Sequence, residues 1–329
     1  MKNIGKIVVR ILLILLCIIV IAAGYLLISP MLISEDNNKV SGSDSWMSKV
    51  DGSLLINQIA IPGTHDSASD KVQLAFFSKC QCSSIAEQLG NGYRYLDVRL
   101  GVRKDALVFY HGFCRCRTSW LPFAKDLELS KVLADCYGFL SDHPTETIIF
   151  AVKMEQGNDL LSFEQLLDSY IKKAPDKWLL TDKLPTLDEA RGKIVLFRRY
   201  ADVAQLGKDS GIEIDWPDQG GNDDVSLNAI EVKQPAYTLI VQDRYKYSTK
   251  DKWAAFEAGL KLESQDENVL KLHFLSTNGT PKFGHPYAYA KVLNKNLLSE
   301  DMSDAGTPWI ITDFSTAGMA KLIYDINLK

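Results

Sequence analysis

The sequence predicts an α/β chain, a distorted (βα)8 barrel of the TIM type behind a single N-terminal transmembrane or signal helix. Three observations carry this reading. Eight short runs rich in β-branched and aromatic residues recur between residues 57 and 314. Helical patterns, with apolar residues three and four apart, lie between several of them. Seven of the eight runs close on a charged or titratable residue. Strands that are apolar throughout and separated by helices belong to a parallel sheet covered on both faces. Barrels of such strands collect their reactive groups at the C-terminal strand ends.

At 329 residues the chain can bury a sizeable core. A formal charge of −4, with no basic run or repeat, excludes nucleic acid as an expected partner. Lys2, Lys6 and Arg10 precede 18 apolar residues from Ile11 to Ile28, and Glu35-Asp36 follow. As a helix rising about 1.5 Å per residue, that stretch spans ~27 Å, close to a hydrocarbon core. The cations place the N-terminus in the cytoplasm and the body of the chain outside it. Two readings fit residues 1–33: an uncleaved signal anchor, and a signal peptide cut near Ala22 and Gly24. The apolar residues that continue past Gly24 favour the anchor. Cys17 lacks the small preceding residue of a lipoprotein cleavage site. Residues 34–45 are polar and read as a flexible linker, and residues 46–329, from Trp46, form one catalytic barrel with no composition break.

The expected strands are 57–61, 94–100, 106–110, 147–153, 193–199, 238–243, 271–276 and 308–314. Only "GVRKD" separates the second from the third, too little for a crossover helix. The stretch 200–237 is poorly periodic. Both features make the barrel a distorted one. Among the helices, Ser84-x-x-Glu87 is a capping box, and Ser162-x-x-Gln165 opens another helix. Residues 129–142 place Leu129, Val132, Leu133, Cys136, Tyr137 and Leu140 on one stripe, stopping before Pro144. Shorter patterns cover 251–260 and 316–326.

Export bears on the cysteines. Cys80 and Cys82 form one C-x-C pair, Cys114 and Cys116 another, and Cys136 stands alone. Four thiolates could hold zinc, but zinc sites prefer longer spacers. In an oxidising compartment two disulfides between the segments are the favoured reading, with connectivity left open. Cys136 reads as a small core residue.

In order, the strand ends carry His65-Asp66, Asp97 and Arg99, His111, Lys153, Arg198-Arg199, Asp243 and Tyr245, then Asp313. Their recurrence points to a polar pocket. Two imidazoles can supply a base and an acid in one turnover. An arginine between them would stabilise the negative charge of a pentavalent phosphorus. This constellation suits phosphodiester cleavage by an internal hydroxyl. No Gly-rich nucleotide loop or Gly-x-Ser-x-Gly elbow is present.

The segments "IPGTHDSAS", "YRYLDVRL", "LVFYHG", "HPTETIIFAVK", "RGKIVLFRRY", "VQDRYK" and "ITDF" occur in that order. Together they resemble the bacterial phosphatidylinositol-specific phospholipases C over about residues 46 to 325. The resemblance implies a distorted TIM barrel that converts phosphatidylinositol to diacylglycerol and inositol 1,2-cyclic phosphate. It implies His65 as general base oriented by Asp313, and His111 as general acid assisted by Asp66. Arg99 would contact the phosphate, with Asp97 on the same strand face. Lys153, Arg199, Asp243 and Tyr245 would bind the inositol, while Arg198 faces the other way on its strand. Arg99 would stand where related eukaryotic enzymes hold calcium. No acidic cluster with calcium spacing accompanies it, so no cofactor or metal is expected. The partner is a phosphatidylinositol-containing membrane, with glycosylphosphatidylinositol anchors a further substrate class and no obligate protein partner. The family meets membranes through apolar rim residues, a role open here to Phe76 and Phe77 in 73–77 and to Trp120 and Phe123 in 119–123, although all four could equally be core. The C-x-C pairs and the N-terminal anchor depart from the family's common form.

The other residues of note have plainer roles. His143 is expected in a solvated helix-end loop, His273 in the core and His285 in a loop. Trp178, Trp216, Trp253 and Trp309 read as packing aromatics. Two other functions remain open: a calcium-dependent glycerophosphodiester phosphodiesterase, and a non-catalytic inositol-lipid binding module.

Overall fold

The computed structural model describes residues 2–35, 38–121, 123–220, 229–266, 268–279 and 285–329. Asp36 of the linker, Pro122 of the expected rim segment and residues 221–228 of the poorly periodic stretch lie outside the described residues. The first six strands of one sheet are β1 (Ile61–Thr64), β2 (Tyr95–Arg103), β3 (Ala106–His111), β4 (Cys114–Arg115), β5 (Ile148–Gln156) and β6 (Trp178–Leu179). The rest are β7 (Ile194–Arg198), β8 (Ile212–Glu213), β9 (Ile230–Lys233), β10 (Thr238–Gln242), β11 (Val269–Phe274) and β12 (Trp309–Thr312).

Hydrogen bonding runs β6-β7-β5-β2-β1-β12-β11-β10-β9. From β7 to β10 every neighbouring pair on that path is parallel. The last long strand therefore lies beside the first, with Ile61 opposite Trp309 and Thr64 opposite Thr312. That register brings residue 65 next to residue 313. The short link between β2 and β3 makes an antiparallel hairpin. Its corner residues Lys104 and Asp105 have φ of 49° and 61°, the two-residue turn whose twist matches its strands.

The α/β barrel expected from the sequence is present as an open one, distorted further than the eight expected strands implied. β9 runs antiparallel to β10, and among the described residues nothing pairs it with β6 or β8. The described part of 200–237 supplies only the two residues of β8 and the antiparallel β9, so the sheet curls into a half-barrel. The first strand also sits later than expected. Residues Ile56–Gln58 form a 3-10 turn, held from below where the Trp309 indole N–H donates to the Ile56 and Ile59 carbonyls. The strand proper begins at Ile61. Its Gly63 faces inward, where a Cβ would lie 2.3 Å from Ile311 Cδ1 and 2.9 Å from Tyr95 Cβ.

Alternation along each strand divides the core into two layers. Ile61, Tyr95, Ile149, Ala151, Val195, Phe197, Leu239, Val241, Trp309 and Ile311 fill the barrel interior. Leu96, Val98, Leu100, Phe150 and Val152 face outward and meet Val132, Leu133, Cys136 and Phe163 of the covering helices. The helix Leu129–Asp142 buries the stripe the sequence marks, except that Tyr137 is half-buried. Trp46 is buried, stacked on Tyr324 and bonded to the Gly92 carbonyl, so it belongs to the folded body.

Three local expectations change. Ser84 caps its helix as expected, but the helix Leu160–Ile171 starts a turn earlier, capped by Asp159. Residues Pro286–Ser299 form a helix the periodicity did not reveal, with Pro286 at its first position and His285 Nδ1 accepting the Tyr287 N–H at 3.0 Å. All six cysteines are free thiols, in place of the two disulfides expected of Cys80, Cys82, Cys114 and Cys116. The first pair points to different neighbours. Cys80 Sγ lies 3.8 Å from His111 Nδ1, and Cys82 Sγ lies 3.4 Å from the Ile33 carbonyl.

Candidate active site

The interior phase of the strands turns from apolar to charged at their C-terminal ends. Tyr95 is followed by Asp97 and Arg99, Ala151 by Lys153 and Glu155, Phe197 by Arg199, Val241 by Asp243, and Ile311 by Asp313. These residues surround a cavity of about 550 Å3 whose walls include His65, Arg99, His111, Lys153, Arg199 and Tyr245. Asp66 and Asp97 are buried beneath the Arg99 guanidinium. Arg198 points outward to Glu213 at 2.7 Å, as alternation requires.

His65 Nδ1 lies 2.8 Å from Asp313 Oδ1, which leaves Nε2 facing the cavity. The His65 carbonyl and that of Thr312 both accept from Gln81 Nε2, so one amide clamps the ends of β1 and β12. Burial by itself lowers the His65 imidazole. The Asp313 charge and hydrogen bond, with Asp66, outweigh burial and Arg99, and the net shift is upward. His111 is fixed from a different direction. Its Nδ1 lies 2.7 Å from the Ser78 carbonyl, which can only accept, so Nδ1 carries the hydrogen and Nε2 faces the cavity. The two rings stand 6.1 Å apart, nearly perpendicular.

Asp66 sits between them. Its Oδ2 is 3.4 Å from His65 Nε2, 3.4 Å from His111 Nε2 and 3.1 Å from an Arg99 terminal nitrogen. It therefore meets both imidazoles rather than His111 alone. Arg99 Nε donates to Asp97 Oδ2 at 2.9 Å, and Arg199 reaches the other Asp97 oxygen at 3.2 Å. Burial would raise the Asp97 carboxyl, but the two guanidinium groups hold it well below the usual carboxylate range. Burial likewise opposes the charge on Arg99, and Asp66, Asp97 and Glu155 hold it firmly protonated.

Around this centre lies a second set of polar groups. Lys153 pairs with Glu155 at 2.9 Å, and Glu155 also accepts the Gly112 N–H beside His111. The Arg199 guanidinium stacks 3.9 Å from the Trp216 ring centroid, and the Trp216 indole donates to Asp243 at 3.1 Å. The Tyr245 hydroxyl donates to Asp218 at 2.9 Å, and burial followed by that carboxylate pushes it up to about 12. Glu155 and Asp218 were not singled out from the sequence, and Trp216 was not assigned to the site. Glu155 is one more step of the alternation that gives Lys153. Trp216, read there as packing, is a wall of the cavity, in a stretch whose sequence carries no period. Trp178 and Trp309 lie in the core as expected, and Trp253 packs on Phe256.

Among the described residues three overlapping sets offer metal-ligand atoms within 4.8 Å of one another: His65–Cys80–Asp313, Asp66–Cys80–His111 and His65–Asp66–Asp97. The third already has Arg99 between its carboxylates, so a cation's place is taken by a guanidinium. The remaining histidines are elsewhere. His273 is fully buried and held down to about 3 by burial, and His143 rests on Phe139. Phe77, in the cavity wall, is exposed, and so are Leu74, Phe113, Leu121 and Phe123. Phe76 packs between Tyr25, Phe77 and His285, and Trp120 is half-buried under the Lys79 ammonium.

The X domain of phosphatidylinositol-specific phospholipase C matches residues 58–200 as a family model. The 1-phosphatidylinositol phosphodiesterase of Staphylococcus aureus (strain Newman) is 30% identical over 294 residues, 83% of this chain and 88% of that protein. Its namesake from Listeria monocytogenes is 30% identical over 304 residues, covering 86% and 84%. Among solved structures, a phosphatidylinositol-specific phospholipase C from S. aureus superposes with a TM-score of 0.70 at 25% identity, covering 87% of this chain and 99% of that one. The L. monocytogenes enzyme gives 0.65 at 26% identity, covering 87% and 99%.

Proposed function

The chain belongs to the phosphatidylinositol-specific phospholipase C family, and on that premise we propose that it cleaves phosphatidylinositol to diacylglycerol and inositol 1,2-cyclic phosphate. The observation that carries the reading is the pair of imidazoles, each tied through Nδ1 to an acceptor and each turning Nε2 to the cavity. His65 gives Nδ1 to Asp313 and turns a free Nε2 to the cavity, while His111 gives Nδ1–H to Ser78 and can carry a second proton on Nε2.

His65 Nε2 takes the proton of the inositol 2-hydroxyl. That oxygen bonds to phosphorus as the bond from phosphorus to the glycerol oxygen breaks, and His111 Nε2–H returns a proton to the departing oxygen. Arg99 faces the phosphate and offsets the charge that gathers on its oxygens. Asp66 and Asp97 aim the guanidinium, so its direction is set before substrate arrives. Lys153, Arg199, Asp243 and Tyr245 surround the inositol ring. Glycosylphosphatidylinositol carries the same diester and is the second substrate class. The helix Lys2–Leu32 is retained as a membrane anchor, with the catalytic body outside the cytoplasm.

The test is turnover of phosphatidylinositol by the full chain in mixed micelles, followed by phosphorus NMR with and without chelator. The cyclic phosphate should form in both, and His65→Ala or His111→Ala should each lower turnover about 10²–10⁴-fold. Unchanged turnover in either variant overturns the assignment. Activity abolished by chelator favours the calcium-dependent phosphodiesterase, and vesicle binding without product favours a binding module.

A further inference from the structure

We propose that the end of the N-terminal helix is docked on the mouth of the catalytic cavity, so that the enzyme acts on lipid in the same membrane that holds the helix. The inference rests on the phospholipase reading and on retention of the helix.

The contacts are specific to one short segment of the rim. The Tyr25 ring lies 5.8 Å from that of Phe76. Buried Lys79 donates its ammonium to the Pro30 carbonyl at 2.9 Å and to the Ile33 carbonyl at 3.4 Å. Cys82 Sγ also reaches the Ile33 carbonyl, and the Tyr287 hydroxyl is bonded to Glu35. The last carbonyls of a helix have no partner within it and carry its negative end. A buried ammonium needs such acceptors. Lys79 and the helix terminus thus satisfy each other, and only loss of the chain through residue 33 would leave Lys79 without both carbonyls.

Helix length fits the same arrangement. The 28-residue helix segment Gly5–Leu32, with Lys6 and Arg10 near its start, is exposed over most of its length. The charge-free residues 11–28 form a helix of ~27 Å, close to the thickness of a hydrocarbon core. Tyr25, in the last turn of that span, belongs to the type enriched at the membrane interface, and its ring meets Phe76 on the rim. Leu74 and Phe77, in the same rim segment as Phe76, are half or more exposed, and so is Phe113, two residues after His111. An apolar collar of this kind fits a lipid surface. Phe77 belongs both to the collar and to the cavity wall. The interface therefore passes through Tyr25 and the collar, with the cavity mouth against it. A phosphoinositide in that leaflet meets His65 and His111 while its acyl chains stay in the bilayer.

The full chain would be reconstituted into vesicles containing phosphatidylinositol and mixed with protein-free vesicles of the same composition, the inositol label being in one pool at a time. Lipid in the protein's own vesicles should be consumed about tenfold faster or more. Lys79→Met and Tyr25→Ala should each lower that ratio by about threefold or more, with turnover of a short-chain, water-soluble phosphatidylinositol within about twofold of wild type. A merely tethered domain would keep a ratio indifferent to both substitutions, and that result overturns the proposal. So does equal consumption of the two pools. If Lys79→Met fails to fold, Tyr25→Ala, on the exposed face of the helix, decides. Absence of soluble-substrate turnover in the wild type would refute the phospholipase reading, and recovery from the culture medium of a chain lacking its first residues would refute retention.

Discussion

Asp313→Asn probes how the cavity sets its base. The amide keeps the side-chain shape and removes the charge 2.8 Å from His65 Nδ1. Two influences push the His65 imidazole down, burial and the Arg99 charge, and two push it up, Asp313 and Asp66, with the net upward. Without the Asp313 charge only Asp66 opposes the first two, so the imidazole should fall below its ordinary value. An opposite charge at this range is worth about 1–3 pH units, or ~1.4–4 kcal/mol. The acid limb of kcat/KM, which reports protonation of the base, should therefore move to lower pH by that amount. The amide can also donate to Nδ1, which selects the tautomer with its hydrogen on Nε2 and removes the lone pair the substrate needs. kcat should fall about 10²–10⁴-fold. The assay is kcat/KM for a short-chain phosphatidylinositol across the acid and neutral range. Stability should follow the same linkage. His65 is raised in the fold, so its contribution is fully present below the unfolded value and lost as pH rises through the folded one. The Tm gap between wild type and variant should be wider in acid than in alkali. An acid limb that stays in place, or moves up, would refute the reasoning.

Two further substitutions test the cavity wall and the core. Trp216→Ala removes both the face on which Arg199 stacks and the donor to Asp243; KM should rise about tenfold (~1.4 kcal/mol) with kcat little changed, and an unchanged KM would place the inositol elsewhere. His273 is buried, neither ring nitrogen has a hydrogen-bond partner among the described residues, and burial holds it at about 3 with Lys271 and Lys252 opposing its charge. Its neutral form is favoured in the fold, so stability is lost as pH falls below the unfolded value near 6.5. His273→Leu should reduce the loss of unfolding free energy between about pH 8 and pH 5 by ~2 kcal/mol. Lys252 and Lys271 are present in both proteins and cancel in the comparison. An identical loss in the variant would show that His273 is already charged in the fold.

What the sequence revealed, and what it hid, divides along the range of the interactions involved. Alternation is local, so the inward phase of each strand could be followed from Val241 to Asp243 and from Ile311 to Asp313 without any knowledge of the sheet. The hairpin at Lys104-Asp105 was visible because five residues cannot cross a barrel. Pairing of β1 with β12 is non-local; it joins His65 to Asp313 only because the first and last strands of the chain lie side by side in the sheet, and no pattern within either segment reports it. Trp216 lies where the chain has no period, and its place is set by Arg199 from another strand. The cysteine spacing misled for a related reason. Whether two thiols approach depends on the directions of Cys80 and Cys82, which part toward His111 and Ile33. The helix Pro286–Ser299 was hidden by a His-Pro opening, which reads locally as a turn and here serves as a cap.

The neighbours His65 and Asp66 would point to opposite sides if the strand continued through them. It does not. Asp66 has φ of 43°, a left-handed conformation that costs an ordinary residue about 1–2 kcal/mol and that Asp tolerates better than most. Its N–H is held by Asp97 and its carbonyl accepts from Ser69 Oγ, so the bend is tied down on both sides of the residue. The bend turns the Asp66 carboxylate back into the cavity, where one oxygen faces His65, His111 and Arg99 at once. In the proposed reaction His65 gains a proton as His111 gives one up, so the pair holds one imidazolium before and after the transfer. A carboxylate within reach of both Nε2 atoms is opposite a positive charge in either state. It therefore favours neither direction of transfer, and Asp313, which touches only His65, is left to decide which ring is the base.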